Sequence, residues 1–390
     1  MNKANANRRL FLKESIATAA GLVIAPALSA AVLSTAVPTL TSAGPVIGHA
    51  LAPRIKFAVI GINHGHIYSQ TDAVTRGGGE LVSFYAPEAD LVAAFAKRYP
   101  QAKLVRSEQE ILDDKSIQLV LSSGIPVDRA PLGIRVMKAG KDYMSDKPGI
   151  TTLEQLAEVR RVQKATKQIY SIMYSERLEN RATVKAGELV KAGAIGQVIQ
   201  TIGLGPHRMN PKVRPAWFFE KKAYGGIICD IGSHQFDQFL FFTGSTKADI
   251  VASEVGNVHH PQYPGLEDFG DVMLRGDRGV GYIRVDWFTP DGLKSWGDGR
   301  LTILGTEGFI EIRKNIDPGV HDNTGNHLYI TDSKETRYMD CAKEPLPYGE
   351  QLVNDVLNRT ETAMSQEHCF LATELALKAQ KQAQRLDLKV

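Results

Sequence analysis

The segment "VIGINHGHIYSQ", residues 59 to 70, decides how the chain is read. It joins a β-branched strand, "IKFAVIG" (55 to 61), to a helix-like stretch, "HIYSQTDAVTR" (66 to 76), closed by glycines at 77 to 79. A strand that ends in glycine and opens a helix is the start of a dinucleotide-binding unit, in which the turn and the helix N-terminus face a pyrophosphate. Here the glycine pattern is incomplete, because Asn63 and His66 stand where a second and third glycine are expected, with His64 between them. Asparagine accepts left-handed backbone, and a histidine at a helix start can hydrogen-bond phosphate, so nucleotide binding stays open. Histidines at alternate positions also suit a metal, and Asp230 and His234 could add ligands to a metal-dependent hydrolase. The barrel in which such hydrolases carry a histidine pair at the end of the first strand needs eight strand–helix units, whereas the second half of this chain is β-rich, so no metal ligands are assigned.

Outward from this turn, strands and helices alternate. "ELVSFY" (80 to 85), "EADLVAAFAKRYP" (88 to 100), "IQLVLSSG" (117 to 124) and "APLGIRVMKAGK" continue the cycle with short connections. That order predicts a parallel, doubly wound α/β (Rossmann) domain over residues 53 to 170. Thr151 and Glu154 form a capping box on the helix "TTLEQLAEVRRVQKA". Beyond it, "QVIQTIGLG", "DVMLRG", "VGYIRVDWF", "RLTILG" and "GFIEIR" are strands, with helices at 178 to 193, about 230 to 243 and 366 to 385. Residues 171 to 390 therefore form an α+β domain with an open, mostly antiparallel sheet.

The formal charge of +3 is the surplus carried by residues 1 to 43, where Lys3, Arg8, Arg9 and Lys13 face only Glu14. The remainder is neutral and lacks the basic footprint of a nucleic-acid binder. "NRRLFLK" (7 to 13) followed by an uncharged, alanine-rich run resembles a twin-arginine export signal, with small-residue cleavage options at 28 to 30 and 41 to 43. The expected location is periplasmic, with no stable membrane insertion once the signal is removed. Three scattered cysteines, Cys229, Cys341 and Cys369, are too few for a disulfide framework.

In "GGIICDIGSHQFD" (225 to 237), Asp230, His234 and Asp237 fall at i, i+4 and i+7 on a helix otherwise built from Ile231, Phe236, Phe239 and Leu240. Two carboxylates and an imidazole on so apolar a helix point to acid–base chemistry or substrate binding. In "SDKPG" (145 to 149), Pro148 interrupts a regular strand beside Lys147. Arg177, together with His207, Arg214, Trp217 and Tyr224 in the stretch 205 to 226, interleaves rings with hydrogen-bonding groups, which suits a sugar.

The turn "GINHGH", the "SDKPG" segment and "GGIICDIGSHQFD", in this order and spacing, resemble the Gfo/Idh/MocA family, the glucose-fructose oxidoreductase and inositol dehydrogenase group. The similarity extends to "AGAIGQVIQ" (192 to 200) and "GTEGFIEI" (305 to 312). It implies an NAD(P)-dependent oxidoreductase acting on a sugar or polyol, with NAD or NADP held by Gly61, Asn63, His64, His66, Ser123, Asp146 and Lys147. Lys147, Asp230 and His234 would be catalytic, with His234 as base, Lys147 polarising the substrate and Asp230 anchoring it or serving as a second acid–base group. Arg177, His207, Trp217, Tyr224 and Asp237 would bind substrate, and the chain would be a homo-oligomer. Asp146 takes the place of the glutamate in the family's Glu-Lys-Pro triplet. The place of the acid that binds the adenosine ribose falls on Ala86, with Glu88 two residues on. The same resemblance admits a redox-neutral, NAD-dependent glycoside hydrolase or lyase, and a non-catalytic sugar-binding protein is the remaining alternative.

Overall fold

The computed structural model describes residues 53–320 and 324–388. The twin-arginine segment and its cleavage options lie outside the described residues. Among those described, no helix is long and apolar enough to cross a membrane.

The first sheet is made from β1 (Ile55–Ile60), β2 (Gly79–Tyr85), β3 (Lys103–Leu104), β4 (Leu119–Ser122), β5 (Asp142–Ser145) and β6 (Tyr170–Ile172). All pairings are parallel and the order is β3-β2-β1-β4-β5-β6. The connections are α1 (His66–Arg76), α2 (Ala89–Arg98), α3 (Glu108–Asp113), α4 (Pro126–Lys138) and α5 (Leu153–Thr166). The order reverses between β1 and β4, which opens a crevice at the carboxyl ends of those strands, beside the glycine turn. The cap of α5 differs by one residue from expectation. Thr152, not Thr151, accepts the Gln155 amide, and the Gln155 side chain turns back to the Thr151 amide.

After α6 (Ser175–Leu178) and α7 (Arg181–Lys191), the second sheet begins at β7 (Val198–Pro206). Three short helices follow, α8 (Lys221–Tyr224), α9 (Ile227–Asp230) and α10 (Ser233–Thr243). The other strands are β8 (Ala248–Gly256), β9 (Phe269–Gly276), β10 (Val280–Asp286), β11 (Arg300–Gly305), β12 (Gly308–Arg313), β13 (His327–Asp332), β14 (Thr336–Asp340) and β15 (Gln384–Arg385), with α11 (Tyr348–Asn358) and α12 (Gln366–Gln382) before the last. The order is β14-β13-β12-β11-β7-β10-β9-β8-β15, antiparallel except where β10 meets β7 and β15 meets β8.

Strand alternation gives this sheet two different faces. One row, Val272, Ile283, Gly203, Leu301, Ile312 and Leu328, faces the helices and is apolar and buried. The neighbouring row, Met273, Tyr282, Ile202, Thr302, Glu311, Tyr329 and Tyr338, faces outward. Gly203 lets α10 lie close on β7, since a Cβ there would stand 2.7 Å from Gln235 Cγ.

The helix expected from about 230 to 243 is divided. The Gly232 amide reaches back to Ile227 O, five residues away, and a side chain at Gly232 would strike Ile228 O at 2.5 Å. The extra residue in that turn changes the phase of the helix, so Asp230, His234 and Asp237 do not form the single stripe their spacing predicts.

Candidate active site

The nucleotide turn is laced to the loop after β4 by backbone alone. Ser123 N donates to Gly61 O at 3.1 Å, and His64 N donates to Ser123 O at 2.9 Å. Gly61 has φ +79°, and a Cβ there would come within 3.0 Å of Gly124 Cα, so the two loops touch because both lack side chains. The Ser123 hydroxyl faces inward and donates to Gln70.

Asp146 is the hub beside this turn. Its Oδ1 lies 2.9 Å from His66 Nδ1 and accepts the Lys147 amide at 2.8 Å. Its Oδ2 lies 3.1 Å from His64 Nδ1 and 3.2 Å from the Arg129 guanidinium. Burial favours the neutral acid, but the His66 and Arg129 charges outweigh it and hold the Asp146 carboxyl well below its ordinary range. Arg129, itself buried, also donates to Gly124 O, Lys147 O and Pro148 O, joining the loop after β4 to the cis Lys147–Pro148 segment after β5. The ligand atoms of His64, His66 and Asp146 lie within 4.8 Å of one another, a spacing that suits a metal. A cation there would share the carboxylate with Arg129, so the cluster is a poor metal centre on charge.

Lys147 Nζ donates to Asp230 Oδ1 at 3.0 Å, with the lysine side chain only 4% exposed. Burial would raise the Asp230 carboxyl, but Lys147 lowers it further and keeps it ionised. The pair closes one wall of a cavity of about 460 Å³. Asn63, His64 and His66 line its nucleotide side, and His207, Arg214, Trp217, Phe218, Trp287 and Trp296 line the side built from the second sheet. His207 Nδ1 faces Gly205 O at 3.1 Å, and its ring meets Trp296 and Trp287 edge-on at 4.4 and 5.4 Å. Burial is the main reason its pKa falls to about 3, so its imidazole is neutral.

His234 stands behind this wall and does not line it. It is 2% exposed, its ring meets Tyr174 edge-on, and its Nδ1 is buried with no hydrogen-bond partner. Burial lowers its pKa from 6.5 to about 4, opposed by Glu176. The unfolded chain therefore takes up a proton on this histidine first as pH falls. Its contribution to stability, on the order of 3 kcal/mol, is complete above about pH 6.5 and disappears toward pH 4. We expect the melting temperature of the parent to fall relative to that of His234→Gln between about pH 7 and pH 4.5, and a gap independent of pH would contradict the assignment.

Three residues placed at the substrate by sequence lie elsewhere. Arg177 and Asp237 pair with each other through two hydrogen bonds of 2.6 and 2.7 Å, and His368 caps the same carboxylate at 2.8 Å. The buried Arg177–Asp237 pair, with half-buried His368, pins α10 to α6 and α12. Tyr224 is buried, and its hydroxyl accepts the Glu267 amide. Conversely, Arg129, Phe218, Trp287 and Trp296 belong to the site and carry no local motif that announces it.

The cradle fits a dinucleotide. Glu88, three residues beyond β2, accepts the Asn63 side-chain amide on Oε1 at 2.7 Å, while its Oε2 is buried without a partner. An acid at that position is what a ribose hydroxyl needs, and it is supplied here by Glu88 rather than by Ala86.

Residues 55–174 match the oxidoreductase family with an NAD-binding Rossmann fold, and residues 183–311 match the GFO/IDH/MocA C-terminal domain. A solved protein of Erwinia carotovora atroseptica, named only provisionally as an oxidoreductase, is 45% identical with a TM-score of 0.83, covering 85% of this chain and 100% of that one. The 1,5-anhydro-D-fructose reductase of Ensifer adhaerens is 28% identical over 254 residues, 63% of this chain and 71% of that protein. Levoglucosan dehydrogenase, solved with NADH and levoglucosan, shares the fold at a TM-score of 0.69 and 16% identity, over 84% of this chain and 95% of that one. With the nucleotide turn, the Lys147–Asp230 pair and both halves matched in order, the chain belongs to the GFO/IDH/MocA family and is an NAD(P)-dependent oxidoreductase.

Proposed function

We propose that the protein transfers hydride between its nicotinamide cofactor and a carbon–oxygen centre of a sugar or polyol, and that it is exported with the cofactor in place. The Lys147–Asp230 pair carries this reading, because it sets a buried ammonium in a cavity with the nucleotide turn on one side and aromatic rings on the other. The relatives named for anhydrofructose and levoglucosan support the choice of substrate class.

The nicotinamide, when bound, supplies the hydride acceptor or donor. The remaining work falls to side chains. Lys147 donates to the substrate oxygen and stabilises the negative charge that develops there, while Asp230 fixes the ammonium in position. His234, uncharged and set behind the cavity wall with Nδ1 lacking a hydrogen-bond partner, receives the hydroxyl proton by relay through the wall rather than by direct contact with the substrate. The rings of Trp217, Trp287 and Trp296 offer apolar surface to the C–H face of a sugar ring. His234→Ala is expected to lower kcat by roughly 10²- to 10⁴-fold while NAD(P)H still binds. Steady-state rates on a panel of aldoses and polyols check this, and unchanged turnover would remove His234 from the reaction.

The twin-arginine segment supports export in the folded state, and no free nicotinamide pool is expected outside the cytoplasm. A tightly held cofactor follows. Mass spectrometry of the purified, denatured protein should find NAD(H) or NADP(H) at near-stoichiometric level. A stoichiometric divalent metal with no nucleotide would overturn the reading.

Self-association through the outer face of the large sheet is part of the same proposal. Leu304 and Phe309 sit directly opposite one another there, 41% and 39% exposed, and Met273 and Tyr338 add further apolar surface. Light scattering at micromolar concentration should report more than one chain per particle, and Leu304→Glu should shift the particle to monomer.

A further inference from the structure

Charge on the cavity wall is matched at every cation except one. Arg129 has Asp146 at 3.2 Å, and Lys147 has Asp230 at 3.0 Å. Arg214 has no carboxylate within ion-pair distance among the described residues. Its guanidinium is nevertheless held rigidly. Nε donates to Met209 O at 2.9 Å and Nη2 to Arg208 O at 3.1 Å, and the group lies 4.5 Å from the Phe218 ring centre and 5.0 Å from that of Trp287. One edge of the fork is tied to the backbone and the faces are stacked, so the Nη1 donors are left to serve the cavity that Arg214 lines. Burial is the main influence on this guanidinium, and only Asp230, already paired with Lys147, supports its charge.

We infer that the substrate carries an anionic group, a carboxylate or phosphate on a sugar or polyol, and that Arg214 Nη1 binds it. The inference deepens the oxidoreductase reading by naming the substrate class and relies on it for the chemistry, though not for the binding. A pre-set guanidinium is a strong anion partner because its ordering has been completed by the fold and the bond it makes is charge-assisted. The rings of His207 and Trp296 complete the pocket for the sugar body. A neutral sugar would leave the fixed cation without a partner in a partly desolvated place, which is a means of discrimination as well as of binding.

The molecule supplies its own probe, since all three of its tryptophans line this one cavity. Intrinsic fluorescence of the full chain, as purified, is titrated with D-glucose, D-glucuronate and D-glucose 6-phosphate. At least one of the two anionic sugars is expected to bind roughly ten- to a hundredfold more tightly than glucose, and which of them does so separates carboxylate from phosphate. Arg214→Gln should bring the ratio of affinities close to one, and Arg214→Lys, which keeps the charge without the fork, should retain part of it. Equal affinity for all three sugars, emission that neither anion alters, or a preference that survives in Arg214→Gln would overturn the inference. Cofactor reduction is followed on the same samples. An Arg214-dependent preference without turnover would uphold the anion site and count against oxidation of those sugars, whereas turnover of glucose with no preference for anions would do the reverse.

Discussion

Replacing Lys147 by methionine is expected to lower kcat by on the order of 10²- to 10³-fold, the usual effect of removing a preorganised donor from a developing oxyanion. The same change strands a carboxylate. Asp230, 14% exposed at its side chain, would lose the ammonium that keeps it ionised, and breaking a buried pair from one side costs about 3 kcal/mol or more. Stability and rate can be separated by a second substitution. Adding Asp230→Asn removes the stranded charge, so the double variant Lys147→Met, Asp230→Asn should recover much of the lost melting temperature and none of the lost rate. Thermal melts beside single-turnover rates check both halves. A double variant that regained activity would show that the lysine serves only to neutralise Asp230.

Asp146→Asn is expected to act on binding rather than on the chemical step. The carboxylate is the shared partner of Arg129, His64 and His66, and the amide keeps the shape of the side chain without its charge. Arg129, 1% exposed, would keep its three carbonyl acceptors but lose its only carboxylate among the described residues. A loss of about 3 kcal/mol in stability follows from an uncompensated buried charge. The two imidazoles would be left with one neutral acceptor oxygen in place of two charged ones, which loosens their hold against the nucleotide turn, and NAD(P)H affinity should fall at least tenfold, on the order of 1.4 kcal/mol. Isothermal titration with NADH and NADPH measures this. An affinity unchanged while stability drops would reduce the Asp146 cluster to scaffolding.

Much of the fold could be read in the sequence because its signals are local. The run from Phe57 to Gly61 and that from Leu119 to Leu121 are fully apolar, as strands covered on both faces must be. The short connections between alternating elements predict the parallel order that the structure shows. Lys147 and Asp230 were also legible, since proline beside the first and apolar residues around the second set them apart.

What could not be read depends on contacts between distant residues. Asp237 looks like a companion of Asp230 and His234 until the extra residue in the turn at Gly232 rotates it toward Arg177, 60 positions earlier in sequence. Arg129 on a helix reads as a solvated charge, and only the meeting of the loops after β4 and β5 gives it buried carbonyls to hold. Trp287 and Trp296 reach the cavity because β10 pairs in parallel with β7, which brings the segment after β10 alongside His207. No periodicity encodes that pairing. Glu88, by contrast, was within reach of sequence reasoning, as an acid three residues past the strand end that its partner Asn63 also faces.

A reduced nicotinamide is expected to lie in the same cavity as Lys147, Asp230 and the tryptophans. Because Trp217, Trp287 and Trp296 all line that cavity, NADH or NADPH bound there must lie close enough to accept their excitation energy. Titrating the protein with each nucleotide while exciting tryptophan should quench tryptophan emission and raise nicotinamide emission together, saturably, for at least one of the two. Titration with neither effect for either nucleotide would contradict the claim.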